Sequence, residues 1–436
     1  MDLRTPLTTS NLEAPGPVLG AGRVPSTAVP STEHRGTRLD LSSLLPSEWL
    51  GGAYTSDAPE VRQITFGVLP LTDSAPIVVA HARGLFTKHG IASTLTRYTS
   101  WTASRDALMA GETHAAQMLF GMPVGAAVGR LGTDQKPLVV PWILNRNGQA
   151  ITLAARYRGR FTREHDLRNY AVERRDGGRP MVFGATLPPG THAMWLRYWL
   201  ASQGLHPDQD VALITVPPPQ MLANMRLSGM DGFSVGEPWN ERAIAESIGY
   251  TAVLSEEIWA DHPEKVLAFT EEFAEANPNS VKAVLKALHE ASVWCDDPAN
   301  RLELASLLSD PLYIGSPAGQ IAARLGSEID CGDGRQRIGL RGVTFHARNA
   351  NYPQGKYAIW WLSQFRRWNM LPTAPDYLGI TARVMRPDFY EAALKEIGVT
   401  PGAADLNPEM LCDGRTFDPT EPEEYAASHP ITSIRL

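Results

Sequence analysis

Short apolar runs alternate along this chain with stretches whose apolar residues recur at helical spacing. Each run is four to six residues long and is separated by a brief loop from the helical stretch behind it, which is typical of buried parallel strands. The runs predict strands at 64–69, 93–98, 181–185, 213–216 and 232–235. The stretches behind them predict helices at 77–88, 103–109, 192–203, 220–227 and 240–247. This repetition predicts an α/β fold whose parallel sheets are covered on both faces by helices.

The two ends of the chain break this pattern. Residues 1–60 contain seven Pro and fourteen Ser or Thr and show no sustained period, so they are predicted to form a mostly disordered leader. One apolar segment of the leader is expected to dock onto the folded body, through Leu41, Leu44, Leu45 and Trp49. Beyond Pro278 the pattern is mainly helical, beginning with a helix at 280–294.

Composition limits the classes of protein to which the chain can belong. Its 436 residues, 43% of them apolar, exceed one small domain and suffice for a two-lobed body plus an appendage. The formal charge of −7 leaves no excess of positive charge for neutralising phosphates, so no direct binding of nucleic acid is expected. The three cysteines lie far apart, and the common nucleotide-binding and metal-binding motifs are missing. Neither a cofactor nor a metal is therefore expected.

Helix starts are the first candidates for chemistry. A helix N-terminus carries unpaired N–H groups and a partial positive charge, and several such ends meet at the carboxyl edge of a parallel sheet, where they bind anions. Residues suited to cap these starts are Thr72 or Ser74, Ser100 or Thr102, and Thr191. Any single one of these residues is more often an ordinary helix cap than part of an anion-binding site.

The sequence Gly190-Thr191-His192 is a sharper candidate. It follows a predicted strand through a short loop, so His192 falls in the first helical turn, where its ring can lean over an anion that the backbone holds. As a lone observation, such a histidine is more often a structural surface residue.

Three further side chains could contribute to an anion site. Trp101 can donate one N–H or cover a flat ligand, although a tryptophan at a strand end is usually part of the core. Gln149 ends a polar cluster before an apolar run, which fits a crossing point between lobes or an ordinary turn. Lys265 carries a positive charge, although a lysine is usually a solvated charge on a helix.

One enzyme motif is present. Residues 232–236 match G-x-S-x-G, so Ser234 could be a hydrolase nucleophile with a histidine downstream. No His-Gly-Gly type oxyanion loop precedes the motif, and Glu237-Pro238 follows it at once. A serine hydrolase is therefore a distant alternative, and the chain is not expected to be an enzyme.

A series of short motifs, in order along the chain, has counterparts in one known family. They occupy 67–76, 100–101 with 105–106, 147–151, 189–195, 217–221, 229–233, 236–240, 262–265, 357–361 and 364–368. In these motifs the chain resembles the nitrate and bicarbonate solute-binding proteins of ABC transporters, together with their cytoplasmic nitrate-sensor relatives. The resemblance runs from about residue 64 to residue 399.

The resemblance implies a two-lobed, periplasmic-binding-protein-like fold of type II, which closes on a small oxyanion in a cleft between the lobes. On this basis residues 61–150 are expected to form the first part of lobe 1 and residues 151–264 to form lobe 2. Residues 265–400 would return to lobe 1 and add a helical C-terminal part, and 401–436 would be an irregular tail.

The resemblance also implies a set of ligand residues. In nitrate-binding members a Trp, a Gln, a His and a Lys hold the anion, in motifs that match those of this chain. The expected ligand-binding set is Trp101, Gln149, Gly190, Thr191, His192, Gly236 and Lys265. Nitrate is flat, singly charged and a weak acceptor, so it needs many modest donors and one full positive charge, which Lys265 is expected to supply. The bicarbonate branch has an acidic residue in place of this lysine, so Lys265 favours nitrate or nitrite.

Two roles within the family fit such a pocket. Transport receptors are exported and deliver nitrate to an ABC permease in the membrane, whereas sensor relatives stay in the cytoplasm and control an RNA-binding antiterminator. The transport receptor is the first expectation because it is the commoner role. The leader shows no export signal, so a periplasmic location would need a signal upstream of this sequence, and a cytoplasmic location is the alternative.

Overall fold

Two five-stranded sheets organise the protein. The computed structural model describes residues 38–44, 58–132, 136–163 and 165–434. The first sheet contains β1 (Gln63–Val68), β2 (Ala92–Arg97), β3 (Ala115–Leu119), β4 (Leu138–Arg146) and β10 (Pro263–Thr270), in the order β2-β1-β3-β10-β4. The second contains β5 (Gln149–Ala154), β6 (Met181–Ala185), β7 (Val211–Thr215), β8 (Gly232–Gly236) and β9 (Gly249–Leu254), in the order β7-β6-β8-β5-β9. We call the parts built on these sheets lobe 1 and lobe 2.

Helices cover the sheets, and two small ladders complete the fold. The helices are α1 (Ala75–Ala82), α2 (Leu85–Lys88), α3 (Trp101–Ala110), α4 (Gly121–Ala127), α5 (Asp166–Asp176), α6 (Thr191–Ser202), α7 (Met221–Arg226), α8 (Trp239–Ala245), α9 (Ser255–Ile258), α10 (Glu271–Ala276), α11 (Pro278–Asp296), α12 (Arg301–Leu308), α13 (Ala318–Ala322), α14 (Gly355–Arg367), α15 (Tyr377–Val384), α16 (Pro387–Glu396) and α17 (Pro422–Ala427). The ladders are β11 (Ile329–Asp330) with β12 (Gln336–Arg337), and β13 (Glu409–Met410) with β14 (Thr416–Phe417). Within the described ranges no helix combines the length and the apolar character needed to cross a bilayer.

The predicted alternation of strands and helices is confirmed, with two corrections. The predicted helix at 77–88 is divided between α1 and α2, because Gly84 adopts a left-handed backbone with φ +67°. The sheets are mixed rather than wholly parallel, since β10 runs antiparallel to β3 and β4, and β5 runs antiparallel to β8 and β9. These antiparallel strands stand where the chain passes between the sheets.

The chain crosses from lobe 1 to lobe 2 between Arg146 and Gln149. Asn147 and Gly148 both have positive φ, +56° and +82°, which turns the backbone sharply between β4 and β5. Gln149 therefore begins a strand at the crossing point and does not belong to an ordinary turn. Sheet 2 starts two residues before the expected boundary at 151, and sheet 1 resumes at Pro263 instead of 265.

The C-terminal part packs against both lobes. In α14, Trp361 lies 4.8 Å from Phe120 of lobe 1 and 5.3 Å from Trp195 of lobe 2, as measured between ring centroids. Its neighbour Trp360 lies 5.3 Å from Trp195 and 5.2 Å from Trp259. This aromatic cluster makes the apolar core continuous from one lobe to the other.

The segment 401–436, expected to be an irregular tail, contains three short regular elements among its irregular stretches. The segment forms β13, β14 and α17, and its side chains Phe417 and Tyr425 are buried. Phe417 packs edge-to-face against Trp259, with ring centroids 6.4 Å apart, and the hydroxyl of Tyr425 lies 3.0 Å from that of Tyr198 on α6. Tertiary contacts thus order a segment that has little periodicity of its own.

One piece of the predicted leader is docked on the body. Leu41 and Leu44 form a short 3-10 turn and are buried in the main core, as expected. Leu45 and Trp49 lie outside the described residues, as do residues 1–37.

Candidate functional site

Lys265 lies on β10, an interior strand of sheet 1 between β3 and β4. It pairs with Leu119 of β3 and Asn145 of β4, and its side chain is 0% exposed. The interpretation of Lys265 as a solvated helix charge is therefore wrong. Its ammonium group lies at the place where the two lobes meet, because the neighbouring backbone N–H of Thr72 in lobe 1 donates to the carbonyl of Glu237 in lobe 2, at 2.8 Å.

Two carboxylates hold the ammonium group. Lys265 Nζ lies 2.8 Å from Asp73 Oδ2 and 2.7 Å from Glu264 Oε1. All three side chains are buried. The charge of Lys265 is thus balanced within the protein by two buried carboxylates, and its role in holding the anion stays a prediction.

Neighbouring donors fix both carboxylates. Gln117 donates from its amide to Asp73 Oδ1. Thr191 donates its hydroxyl to Glu264 Oε1 at 2.5 Å, and Trp195 donates its indole N–H to Glu264 Oε2 at 3.1 Å. Thr191 thus orients a partner of Lys265; the N-cap of α6 is Gly190, one residue earlier.

His192 faces the same ammonium group. Its side chain is fully buried, with Nε2 3.4 Å from Lys265 Nζ and Nδ1 2.7 Å from Thr186 Oγ1, so the interpretation as a surface histidine is wrong. Burial, and then the charge of Lys265, hold the pKa of His192 well below its ordinary value, which keeps the ring neutral. If Nδ1 accepts from the Thr186 hydroxyl, Nε2 carries the hydrogen and can donate to an anion; if Nδ1 donates to Thr186, Nε2 accepts from the ammonium of Lys265.

Trp101 lies beside Lys265 and His192. Ser100 caps α3 by accepting from the backbone N–H of Ala103, which places Trp101 at the first position of the helix. Lys265 Nζ lies 5.6 Å from the centre of the indole, and the His192 ring lies 6.2 Å away in an edge-to-face arrangement. The indole N–H is buried without a hydrogen-bond partner among the described residues.

Gln149 and Gly236 face the cluster from lobe 2. They are direct partners in the antiparallel pairing of β5 and β8, so they lie on the same face of sheet 2. A Cβ on Gly236 would lie 3.0 Å from Asp73 Oδ2 and 3.7 Å from His192 Nε2, so this face is the one turned toward the site. Both amide atoms of Gln149 are buried without a partner among the described residues, and buried amides of this kind normally bond to something.

Gly190 allows α6 to approach lobe 1. A Cβ there would lie 2.3 Å from Leu119 Cδ1, which no side chain could accommodate without movement. Because the N-cap has no side chain, the first N–H groups of α6 are not satisfied by a cap, as an anion-binding helix start requires.

Burial shifts the pKa values of the charged side chains in this site. Burial raises the pKa of Asp73 to about 6, with Lys265 acting in the opposite direction, and it also raises the pKa of Glu264. For Lys265, burial alone would lower the pKa, but the two adjacent carboxylates outweigh it and the net shift is upward. Lys265 is therefore charged at neutral pH, while Asp73 is close to a protonation change.

The arrangement of Ser234 excludes a nucleophile elbow. Ser234 lies within β8, which continues to Gly236, and α8 begins only at Trp239. A hydrolase serine stands at the sharp turn between strand and helix, exposed to substrate, whereas Ser234 is 1% exposed.

Comparison with known proteins identifies the family. The model described as the NMT1-like family matches residues 57–309. The chain belongs to the NMT1-like family. This NMT1-like chain is 38% identical over 408 residues to the nitrate/nitrite binding protein NrtA of Synechococcus elongatus, a match that covers 90% of this chain and 91% of that protein. The predicted resemblance is thus confirmed.

The solved structures agree on the fold. The crystal structure of the periplasmic nitrate-binding protein NrtA from Synechocystis PCC 6803 matches with a TM-score of 0.80 and 32% identity, covering 86% of this chain and 100% of that one. The predicted periplasmic-binding-protein-like fold is therefore confirmed. The NMT1-like chain is also 37% identical over 370 residues to the nitrate import ATP-binding protein NrtC of Synechocystis, covering 84% of this chain and 55% of that protein.

Sequence reasoning missed the two carboxylates of this site and other side chains that bond to them or to His192, which are Gln117, Trp195 and Thr186. Asp73 follows β1 within a loop that was considered only for helix caps, and Glu264 and Thr186 were not considered. A signal was present for Glu264, because Glu264 and Lys265 are adjacent charges at the start of an otherwise apolar run. Buried charges are rarely found without a partner, so such a run predicts an internal ion pair.

A methyl group at Gly236 is expected to weaken anion binding. In Gly236→Ala the added carbon would be 3.0 Å from Asp73 Oδ2 and would occupy the side of the crevice that faces His192. Overpacking of this kind costs about 1–3 kcal/mol, or roughly a 5- to 150-fold rise in the dissociation constant. Calorimetric titration with nitrate measures the dissociation constant. Gly319→Ala is the matched control, because nothing lies within 4 Å of its added carbon; equal affinities of the two variants would contradict the placement of Gly236.

Proposed function

We propose that this protein is a nitrate/nitrite-binding receptor of an ABC-type nitrate transport system. The proposal rests on one observation. The buried side chains of Lys265, His192 and Trp101 lie close together between the two lobes of a binding-protein fold. The site offers one ammonium, one neutral imidazole and one indole N–H within a few ångströms of each other. These are the modest donors and the cation that a flat, weakly accepting anion needs.

The names of the relatives support the choice of ligand. A relative that is 38% identical over most of both chains is a nitrate/nitrite binding protein, and the matching crystal structure is that of a nitrate-binding protein. Lys265 supports nitrate or nitrite over bicarbonate, since the resemblance implies an acidic residue at this position in the bicarbonate branch.

The anion is held from both lobes. Lys265 and Trp101 belong to lobe 1, whereas His192, Gln149 and Gly236 belong to lobe 2. An anion that contacts both sets stabilises the closed arrangement over any opened one, because only the closed arrangement offers all of the donors at once. Closure is thus the signal that a transport partner can recognise.

The partner in this proposal is an ABC permease, and the location is the periplasmic side of the cell envelope. A nitrate import ATP-binding protein contains a long segment similar to this chain, and the matching crystal structure is of a periplasmic protein. Fractionation of the native cell tests the location: recovery in the cytoplasm would favour the sensor role instead.

Titration of the purified protein tests the ligand. Calorimetry with nitrate, nitrite, bicarbonate and chloride, at fixed pH and ionic strength, is expected to show one site that takes nitrate and nitrite. Bicarbonate and chloride are expected to bind far more weakly or not at all. Tight binding of bicarbonate together with no heat from nitrate would overturn the proposal.

A further inference from the structure

We propose that Asp73 takes up one proton from solvent when nitrate binds, so that anion binding by this protein is coupled to proton uptake. The inference rests on the proposed function, because it concerns the same crevice and the same ligand.

The side chains around Lys265 already hold more negative than positive charge. Asp73 and Glu264 flank the single ammonium of Lys265, and the His192 ring is neutral. With both carboxyl groups ionised, this cluster carries one net negative charge, and nitrate would add another in a space without bulk water. Such an accumulation of charge in a buried site is strongly unfavourable.

The two carboxylates are not equivalent. Glu264 accepts from three donors, Lys265, Thr191 and Trp195, which together favour its ionised form. Asp73 receives Gln117 on one oxygen and only Lys265 on the other. That second oxygen, Oδ2, lies 3.0 Å from the Cβ position of Gly236, so it borders the space in which the anion is expected.

Contact between the anion and Asp73 Oδ2 determines which group binds the proton that is taken up from solvent. Two oxyanions in contact in a buried site do not both remain ionised, and nitrate is the anion of a strong acid. The proton from solvent therefore bonds to Asp73 Oδ2, and no bond within nitrate breaks. The resulting O–H can donate to a nitrate oxygen, and the ammonium of Lys265 is released from one carboxylate to hold the anion.

The surroundings of Asp73 fit this role. The charged and titratable groups that face it are Lys265 and Glu264 on β10 and His192 on α6, while the nearby Glu237 turns its carboxylate toward Arg324, 3.6 Å away. Burial already raises the pKa of Asp73 to about 6, so little further change is needed for protonation near neutral pH. Because the bound state holds the extra proton, affinity is highest below this pKa and falls as the pH rises above it.

Calorimetry in paired buffers measures the proton directly. Nitrate is titrated into the full chain at about pH 8 in phosphate and in Tris, whose ionisation enthalpies differ, and the difference in observed heat gives the protons taken up. We expect close to one proton per nitrate and a roughly tenfold loss of affinity per pH unit between about pH 7 and 8.

Two variants assign the proton to a residue. Asp73→Asn is expected to bind nitrate with no proton uptake and a flat pH profile, whereas Glu264→Gln is expected to retain uptake. Nitrate binding by the unaltered chain without proton uptake overturns the inference but leaves the proposed function in place. No nitrate binding at any pH overturns the proposed function itself. Loss of uptake in Glu264→Gln, with uptake kept in Asp73→Asn, overturns the assignment to Asp73.

If neither variant folds, the paired-buffer result on the unaltered chain still decides whether a proton is taken up.

Discussion

Substituting Lys265→Glu is expected to abolish nitrate binding. The change replaces the only ammonium of the cluster with a third carboxyl group between Asp73 and Glu264, so an incoming anion would meet negative groups alone. Removing one partner of a buried ion pair is also destabilising, by about 3–5 kcal/mol, because the other partners remain buried without compensation. Calorimetric titration and a thermal melt of the same sample separate the loss of binding from a loss of folding.

Lys265→Met keeps the binding prediction testable if the glutamate variant does not fold. Methionine preserves most of the length of the side chain and removes only its charge and donors. Truncating one partner of a buried, hydrogen-bonded charge pair costs about 2–5 kcal/mol, so nitrate affinity is expected to fall roughly 30-fold to several-thousand-fold. Lys88→Glu is the control, since Lys88 forms an exposed ion pair with Glu290. Affinity of Lys265→Met equal to that of the control would contradict the role of Lys265.

Substituting Gly121→Ala is expected to keep the lobes from closing. Gly121 begins α4 in lobe 1, and a Cβ there would lie 1.8 Å from the carbonyl oxygen of Pro189 in lobe 2 and 2.2 Å from Trp361 Nε1. These two atoms are themselves hydrogen-bonded, at 3.2 Å, so neither can yield freely. The closed arrangement must therefore shift, at a cost of about 3 kcal/mol or more, and nitrate affinity is expected to fall about 100-fold or more.

A graded series controls the Gly121 experiment. The Cβ of Gly125→Ala would lie 3.0 Å from Pro189 Cβ and 3.3 Å from Pro189 Cγ, so a smaller loss is expected, and Gly319→Ala is expected to give none. Small-angle X-ray scattering should show a larger radius of gyration for Gly121→Ala with nitrate than for the unaltered chain. Full nitrate affinity in Gly121→Ala would mean that the contact between α4 and the Pro189 loop is not required for binding.

The strands and helices that the sequence predicted well are those whose signals are local. The run at 181–185 is followed by a loop that contains Pro188-Pro189-Gly190 and then by a helix, and the observed strand has the same limits as the run. Strand β10 was not predicted, because its first residues, Pro263, Glu264 and Lys265, have the polar character of a loop or an exposed helix. Its place between β3 and β4 in sheet 1 depends on pairing with those two strands, which periodicity does not reveal.

The same distinction applies to the site. The resemblance pointed to Trp101, His192 and Lys265, and the fold brings these three side chains together. The carboxylates that neutralise Lys265 went unnoticed because Asp73 reaches it only through the order of strands in the sheet. The roles of Gln149, Gly190 and Gly236 as ligands remain predictions. Nothing in the pattern of the tail indicated β13, β14 and α17, since contacts with Trp259 and Tyr198 order that segment.

A crystal structure of the protein grown with nitrate tests the central claim most directly. We predict one nitrate ion between the lobes, within hydrogen-bond distance of Lys265 Nζ and His192 Nε2, beside the indole of Trp101 and facing Gly236. Nitrate bound elsewhere, with Lys265 enclosed only by Asp73 and Glu264, would contradict the claim.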